Sequence, residues 1–321
     1  MRHPPNRRVV RHGHGASVWF ALLLLTVGAA TLPAQQLEPR AYSPSPIGTN
    51  FLGMSYLYSK GDVIFDPSVP IDNVDAQVNT VAPYYGRTFG LFGRLASVTV
   101  VTPYAWGKVT GDVLEVTQSV TRSGLADPQL RFAVNLFGGP ALTPQQFVRH
   151  TPQTTLGASL TVVCPFGEYF PSKLINLGTN RWAFKPELGL SHPAGKWTFE
   201  LYAGIWFFTT NNDFYGGQVR KQNPLAAYQA HVVYSLSPRM WAAFDFTYYS
   251  GGQTTLNGVR KDDRQNNTRG GFTFALPVTP HQSLKFTWAS GVTARIGSKF
   301  RTIGVAWQYI WFDSVKRPAG T

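Results

Sequence analysis

The stretch DPQLRFAVNL, residues 127–136, alternates between two kinds of side chain. Asp127, Gln129, Arg131 and Asn135 share one face, whereas the positions between them are mostly proline or large apolar residues. A period of two residues is typical of a β-strand whose two faces meet different surroundings. In a soluble sandwich the apolar face would point inward, whereas in a membrane barrel it would point outward.

The same division returns at 181–191, 196–210 and 284–289, where charged residues oppose an apolar row. Several strands with one charged face and one fully apolar face are difficult to pack around the core of a soluble protein. The pattern therefore predicts an all-β fold, a transmembrane, antiparallel up-and-down β-barrel of about 12 strands. The predicted strands are 49–59, 74–86, 92–106, 124–136, 154–165, 181–192, 196–210, 220–236, 240–250, 267–277, 283–294 and 300–312. An even number of strands places both ends of the barrel on the periplasmic side.

Loop lengths give a second view of this topology. Short turns at 193–195, 237–239 and 278–282 alternate with longer polar segments at 107–123, 166–180, 211–219 and 251–266. Short periplasmic turns and long outer loops are typical of bacterial barrels. Two segments depart from this rule, because the turn at 137–153 is long and the outer loop near 296–298 is short.

The chain divides into four parts. Residues 1–34 have a basic start, an apolar middle and a small-residue exit, which predicts a cleavable signal peptide. Residues 35–48 are rich in Pro, Ser and Gln, which favours a periplasmic lead segment or a plug over a domain. The barrel is expected at 49–312 and a C-terminal tail at 313–321.

Composition narrows the function classes. The chain is basic, with 29 Lys and Arg against 16 Asp and Glu, but the positive residues are scattered, which argues against nucleic-acid binding. The single cysteine, Cys164, cannot form an internal disulfide, and the spacing of a metal site or a calcium loop is absent. We therefore expect no metal and no cofactor.

Several stretches resemble the bacterial envelope family named for the meta pathway of phenol degradation, a transporter-like outer-membrane barrel family. They are Ser123–Gln129, Asn176–Leu188, Trp197–Gly204, Asp213–Gly217, Gln222–Pro224, Tyr248–Gly252 and Trp307–Tyr309. The resemblance implies a location in the bacterial outer membrane and a part in moving small hydrophobic or aromatic compounds. It brings no catalytic motif with it.

Strand parity places a set of charged side chains in the lumen. They either line a water-filled channel or pair with one another and fill the lumen. The second alternative is open because wide aqueous channels are known for barrels of 16 to 18 strands, and this barrel is expected to have fewer. These candidate lumen residues are Asp127, Arg131, Lys185, Glu187, Glu200, Asp245, Arg269 and Lys285.

The same parity places five aromatic residues in the lumen. They could form a substrate path by stacking on a hydrophobic or aromatic solute, or those near strand ends could belong to the interfacial aromatic girdle. These residues are Tyr202, Trp206, Phe208, Trp241 and Tyr249.

Three functions remain open. The first is a passive, porin-like outer-membrane transporter for small hydrophobic or aromatic compounds, in which Arg181, Arg220 and Arg269 would favour anionic solutes such as aromatic acids. The second is a closed structural or adhesive barrel whose loops bind lipopolysaccharide. The third is a lipid-modifying enzyme, for which His231 is the in-strand histidine to test. We expect no enzyme and no catalytic residue, outer-membrane lipid and lipopolysaccharide as surroundings, and a monomer.

Overall fold

A computed structural model describes residues 37–64, 71–113, 116–237 and 239–313 of the 321-residue chain. The expected signal peptide at 1–34 and nearly all of the expected tail at 313–321 lie outside these described residues. Within them the chain is nearly all β-structure. One short helix, α1 (Pro144–Phe147), begins in a capping box in which Thr143 and Gln146 bond to each other's backbone.

The strands follow one another in chain order. They are β1 (Thr49–Ile64), β2 (Ile71–Leu91), β3 (Arg94–Val101), β4 (Tyr104–Val113), β5 (Val116–Leu125), β6 (Gln129–Phe137), β7 (Thr155–Val163), β8 (Ala183–Ala194), β9 (Trp197–Phe208), β10 (Asn211–Phe214), β11 (Gln218–Gln222), β12 (Leu225–Ser237), β13 (Met240–Gly251), β14 (Thr254–Leu256), β15 (Val259–Arg260), β16 (Gln265–Pro277), β17 (Gln282–Thr293) and β18 (Gly297–Phe312).

Fourteen of these strands form one antiparallel sheet, which closes because β1 pairs with both β18 and β2. Strands β3 and β4 lie in line along β2, interrupted at Thr102–Pro103. Strands β5 and β6 are likewise interrupted at residues 126–128. Proline has no N–H for the sheet, which accounts for an interruption at Pro103 and at Pro128. With each pair taken as one strand, the molecule is a closed barrel of 12 strands, and the predicted fold class is confirmed.

Several boundaries differ from the sequence prediction: β1 and β2 are longer than the predicted 49–59 and 74–86, and the predicted strand 92–106 is divided between β3 and β4. The segment 107–123, expected to be an outer loop, is mostly the β4–β5 hairpin, in which Val113 pairs with Val116. Its polar composition resembles a loop because backbone pairing alone does not require apolar side chains. Strand β12 begins at Leu225, not at 220, because Pro224 interrupts the pairing and residues 218–222 form β11.

The two faces of the barrel wall have opposite polarity. On β6, Gln129 and Asn135 are buried inside, whereas Leu130, Phe132 and Leu136 are exposed outside. The outward rows of other strands are equally apolar; Phe244 on β13 is 68% exposed. Soluble monomers rarely expose contiguous apolar surface of this extent, so the exterior is a membrane-facing one. None of the helices among the described residues has the length and apolarity to cross a membrane.

The loops at the end of the barrel opposite Thr49 and Phe312 form a folded outer cap, which we define as residues 164–182, 209–224 and 252–264. Strands β10, β11, β14 and β15 form a small sheet within it. A small apolar core joins the cap to the barrel strands; its buried members are Val74, Leu174, Phe214 and Leu256. The described outer loops therefore have a sheet and a small core of their own.

Candidate functional site

The lumen is occupied by residues 37–48, which we call the N-terminal segment. Its backbone bonds to side chains of the barrel wall: Arg40 N donates to Glu200 Oε2 at 2.7 Å, and Ala41 N donates to the Tyr202 hydroxyl at 3.2 Å. Glu38 N reaches Gln229 Oε1 at 3.4 Å. A segment without regular structure thus satisfies its backbone groups on inward-facing polar residues.

Tyr42 anchors this segment in a slot of the wall. Its ring lies over two inward glycines, because a Cβ atom built on either Gly157 or Gly189 would be 2.1 Å from a ring carbon. Its hydroxyl lies 2.9 Å from Ser159 Oγ and donates to Glu187 Oε1 at 3.0 Å. The side chain is 2% exposed, so these contacts hold it almost fully buried.

Two further groups close the slot around the Tyr42 ring. Tyr202 meets it edge-on with ring centroids 5.1 Å apart, and the guanidinium of Arg131 lies 5.0 Å from its centroid. Both geometries are favourable for an aromatic ring. Arg131 Nε and Nη2 have no hydrogen-bond partner among the described residues, so its guanidinium acts here through the Tyr42 ring and through the nearby charges of Glu38 and Glu187.

The surroundings in the lumen shift the pKa values of two side chains of the N-terminal segment, Glu38 and Tyr42. Burial raises the pKa of Glu38, but the positive charges of Lys185, Arg131 and Lys285 outweigh it and leave this pKa below its ordinary value of 4.5. Burial raises the pKa of the Tyr42 hydroxyl well above its ordinary value, and the nearby Glu187 carboxylate adds to the effect. The segment therefore carries an ionised Glu38 and a neutral Tyr42 at neutral pH.

Several of the lumen charges predicted from the sequence are paired in the structure. Lys185 Nζ lies 2.8 Å from Glu187 Oε2. Glu200 accepts from Ser191 Oγ at 3.0 Å in addition to Arg40 N. Asp245 accepts from Thr273 Oγ1 at 2.7 Å. These carboxylates are occupied by partners, not free on an open path.

His231 is the second partner of Asp245. The His231 Nδ1 lies 2.6 Å from Asp245 Oδ1, and both side chains are fully buried. The other ring nitrogen, Nε2, has no partner among the described residues. The ring packs against Tyr202 with centroids 5.1 Å apart. His231 thus lies beside the N-terminal segment, as a hydrogen-bonded lumen residue.

The remaining predicted charges lie at different depths. Asp127, in the interruption between β5 and β6, accepts from Gly167 N and from both the N–H and the hydroxyl of Thr179, and so it holds the outer cap. Arg269 is buried and donates to Thr302 Oγ1 at 2.6 Å. Lys285 follows the inward parity of β17 but is exposed, which indicates a water-accessible part of the lumen.

The five predicted aromatic residues separate into groups. Trp206 and Tyr249 are buried in one cluster beneath the outer cap, with Phe208 packed against them; we call these three residues the aromatic chamber. Tyr202 contacts Tyr42 lower in the lumen. Trp241 lies under the guanidinium of Arg40 at 5.4 Å. The rings therefore do not form one continuous row.

The main feature that the sequence patterns left open is the role of residues 37–48. Their partners are distant in the chain, since Arg40 and Glu200 are 160 residues apart. The alternation of residues along each strand predicts which side chains point into the lumen, but it does not predict which segment of the chain occupies the lumen. The richness in Pro and Ser was consistent with either a lead segment or a plug.

The comparisons with known proteins can now be added to this geometry. The sequence profile of the family described as "Putative MetA-pathway of phenol degradation" matches residues 58–309. The chain belongs to this family. The recognition made from the sequence motifs is therefore confirmed. No curated protein matches this family member in sequence.

Solved structures similar to this family member are also barrels. The COG4313 outer membrane channel from Pseudomonas putida F1 aligns with a TM-score of 0.72 and 19% identity, over 86% of this chain and 100% of that chain. The β domain of the Bordetella autotransporter BrkA aligns with a TM-score of 0.50 and 10% identity, over 82% and 100% of the two chains. At these identities the similarity establishes the fold.

Proposed function

We propose that this member of the phenol-degradation family is a passive outer-membrane channel for small hydrophobic or aromatic compounds. The observation that carries the proposal is the aromatic chamber, in which Trp206, Phe208 and Tyr249 line the inside of a closed membrane barrel. Aromatic rings offer a solute both apolar contact and stacking. The family description, which names phenol degradation, points to the same class of compound.

The route runs from the outer cap through the aromatic chamber to the N-terminal segment. In this proposal the segment is a plug, because its backbone and Tyr42 fill the lumen between β7, β8 and β9. Solute moves down its gradient and passes when the plug leaves its slot. The lumen charges keep the wall hydrated and position the plug, and the outward apolar rows face lipid and the lipid part of lipopolysaccharide. The barrel works as a monomer.

A closed structural barrel is the second candidate, favoured by one specific observation. Lys185–Glu187 and His231–Asp245 are paired across buried positions, and the N-terminal segment fills the space between them. If the segment never leaves, the same contacts make a permanently filled barrel. We assign no lipid-modifying activity to the buried His231, because its described partners include a carboxylate but no nucleophile.

Single-channel recording distinguishes these candidates. The mature protein is reconstituted in planar bilayers, and current is recorded with and without phenol. A channel gives discrete openings that phenol interrupts, and Trp206→Ala weakens the interruptions. Trp288→Ala is the matched control, because Trp288 faces outward and is 50% exposed. Persistent silence from a verified folded barrel would support the closed structural candidate instead.

A further inference from the structure

Two arginines lie together at the inner side of the outer cap, above the aromatic chamber. Arg181 precedes β8 and is 4% exposed; Arg220 lies on β11. Both line one narrow cleft with Tyr169, Asn176, Thr179 and Asn211. Neither guanidinium forms an ion pair with a carboxylate anywhere in the described part of the chain.

Arg181 is incompletely satisfied for a buried cation. One terminal nitrogen donates to Gln222, but Nη1 has no partner among the described residues. Burial and, second to it, the charge of Arg220 together lower the pKa of Arg181 to about 9, against smaller opposite effects of Asp127 and Tyr169. The side chain is therefore still charged at neutral pH, and an anion in the cleft would stabilise it.

The nearby carboxylates of Asp127 and Asp263 act on the two arginines through space, but they accept their hydrogen bonds from other groups. Asp127 accepts three bonds from Gly167 and Thr179, and Asp263 accepts from the N–H and the hydroxyl of Thr254. A guanidinium donates in a planar fork that matches a carboxylate. The cleft thus has two cations and no internal anion within ion-pair distance of them.

The position of the cleft connects it with aromatic chemistry. The guanidinium of Arg181 lies 4.5 Å from the ring centroid of Phe208, a member of the aromatic chamber. A carboxylate bound by Arg181 would therefore place an attached ring beside that chamber. The free space in the cleft is about 10 Å³, room for one oxygen atom, so a carboxylate would enter it by one oxygen and leave the ring outside.

We infer that Arg181 and Arg220 form a carboxylate-binding site that selects small aromatic acids at the outer entrance of the channel. This inference rests on the proposed function and narrows its substrate class. The recognised chemistry is a monoanionic carboxylate on an aromatic ring. Phosphate, free or on lipopolysaccharide, is another anion present at the cell surface. The experiment below distinguishes binding of phosphate from binding of a carboxylate.

Binding is measured by titration calorimetry on the detergent-solubilised mature barrel with benzoate, with neutral benzamide and with inorganic phosphate. We expect benzoate to bind more tightly than benzamide. Arg181→Gln and Arg220→Gln should each weaken benzoate binding by about tenfold or more, as for loss of a charged hydrogen bond, and leave benzamide unchanged. Arg264→Gln, an exposed outer-loop arginine with the same loss of charge, should match the wild type.

Equal binding of benzoate and benzamide, or benzoate binding unchanged in both variants, would overturn the site. Phosphate binding that displaces benzoate and is lost in the same variants would assign the arginines to phosphate instead. If Arg181→Gln does not fold, Arg220→Gln alone tests the site, because Arg220 lies in the cap and not in the barrel wall. Failure of the channel proposal is a different result: phenol then leaves the single-channel record unaffected, whether or not benzoate binds.

Discussion

Removal of the Tyr42 anchor should open the barrel. Tyr42→Ala abolishes the contacts of the ring with Tyr202 and Arg131 and its hydrogen bonds to Ser159 and Glu187. Truncating a buried aromatic residue to alanine costs about 3 to 5 kcal/mol. Taking the lower limit, about 3 kcal/mol shifts the balance between the docked and undocked segment by roughly a hundredfold.

A second substitution tests the same slot from the wall side. Gly189→Ala leaves Tyr42 unchanged but builds a Cβ 2.1 Å from its ring, so the ring must withdraw. Gly270→Ala is the matched control, since a Cβ there would meet its nearest neighbour at an ordinary 3.6 Å. Tyr42→Phe keeps the ring and loses only the hydroxyl bonds, so its effect should be smaller, about 1 kcal/mol.

The assay is the open probability of single channels in planar bilayers, with folding checked by heat-modifiable migration on gels. Tyr42→Ala and Gly189→Ala should raise the open probability strongly, Tyr42→Phe slightly, and Gly270→Ala not at all. If Tyr42→Ala and Gly189→Ala both fold and both behave like the wild type, the N-terminal segment does not gate the lumen.

Three other perturbations follow from the same contacts. Asp127→Ala removes the acceptor of three bonds that hold the cap, each worth about 1.5 to 3 kcal/mol, so protease should cut loop 164–182 faster, while unchanged cleavage would contradict this role. Lys185→Met leaves the Glu187 charge buried without its partner and should destabilise the barrel by about 3 to 5 kcal/mol in urea unfolding, whereas Lys196→Met, at an exposed turn position, should cost much less. The pKa of Glu38 is lower in the docked segment than its ordinary value of 4.5. The ionised carboxylate should therefore stabilise docking fully above pH 4.5, and this stabilisation should be lost as the pH falls through the lowered pKa. Open probability should therefore rise on acidification below 4.5, and Glu38→Gln should remove this increment.

The barrel wall was predictable from the sequence because each strand carries its own period-two signal. The face of Arg131, Lys185 and Glu200 follows from parity alone, without knowledge of the partner strands. Parity also identified Trp206 and Tyr249 as inward-facing aromatic residues. These inferences are local, and the structure places the same side chains inside.

The contents of the lumen were not predictable in the same way. Tyr42 has a defined place only because Gly157 and Gly189 leave room for it, and those glycines are more than a hundred residues away in the chain. The cap sheet has the same origin, since β11 pairs with β14 across an intervening barrel hairpin. Long-range side-chain fit of this kind leaves no periodic trace in a single sequence.

The most direct test of the account is the rate at which a labelled monoaromatic compound enters cells. Gram-negative host cells with a low-permeability outer membrane express the wild-type barrel or an empty vector, and initial uptake of phenol or toluene is measured at limiting concentration, with and without an uncoupler. The account predicts faster entry with the barrel, insensitive to the uncoupler, and without accumulation above the external concentration. Equal entry in both cells, with the folded barrel verified in the outer membrane, would contradict a channel function.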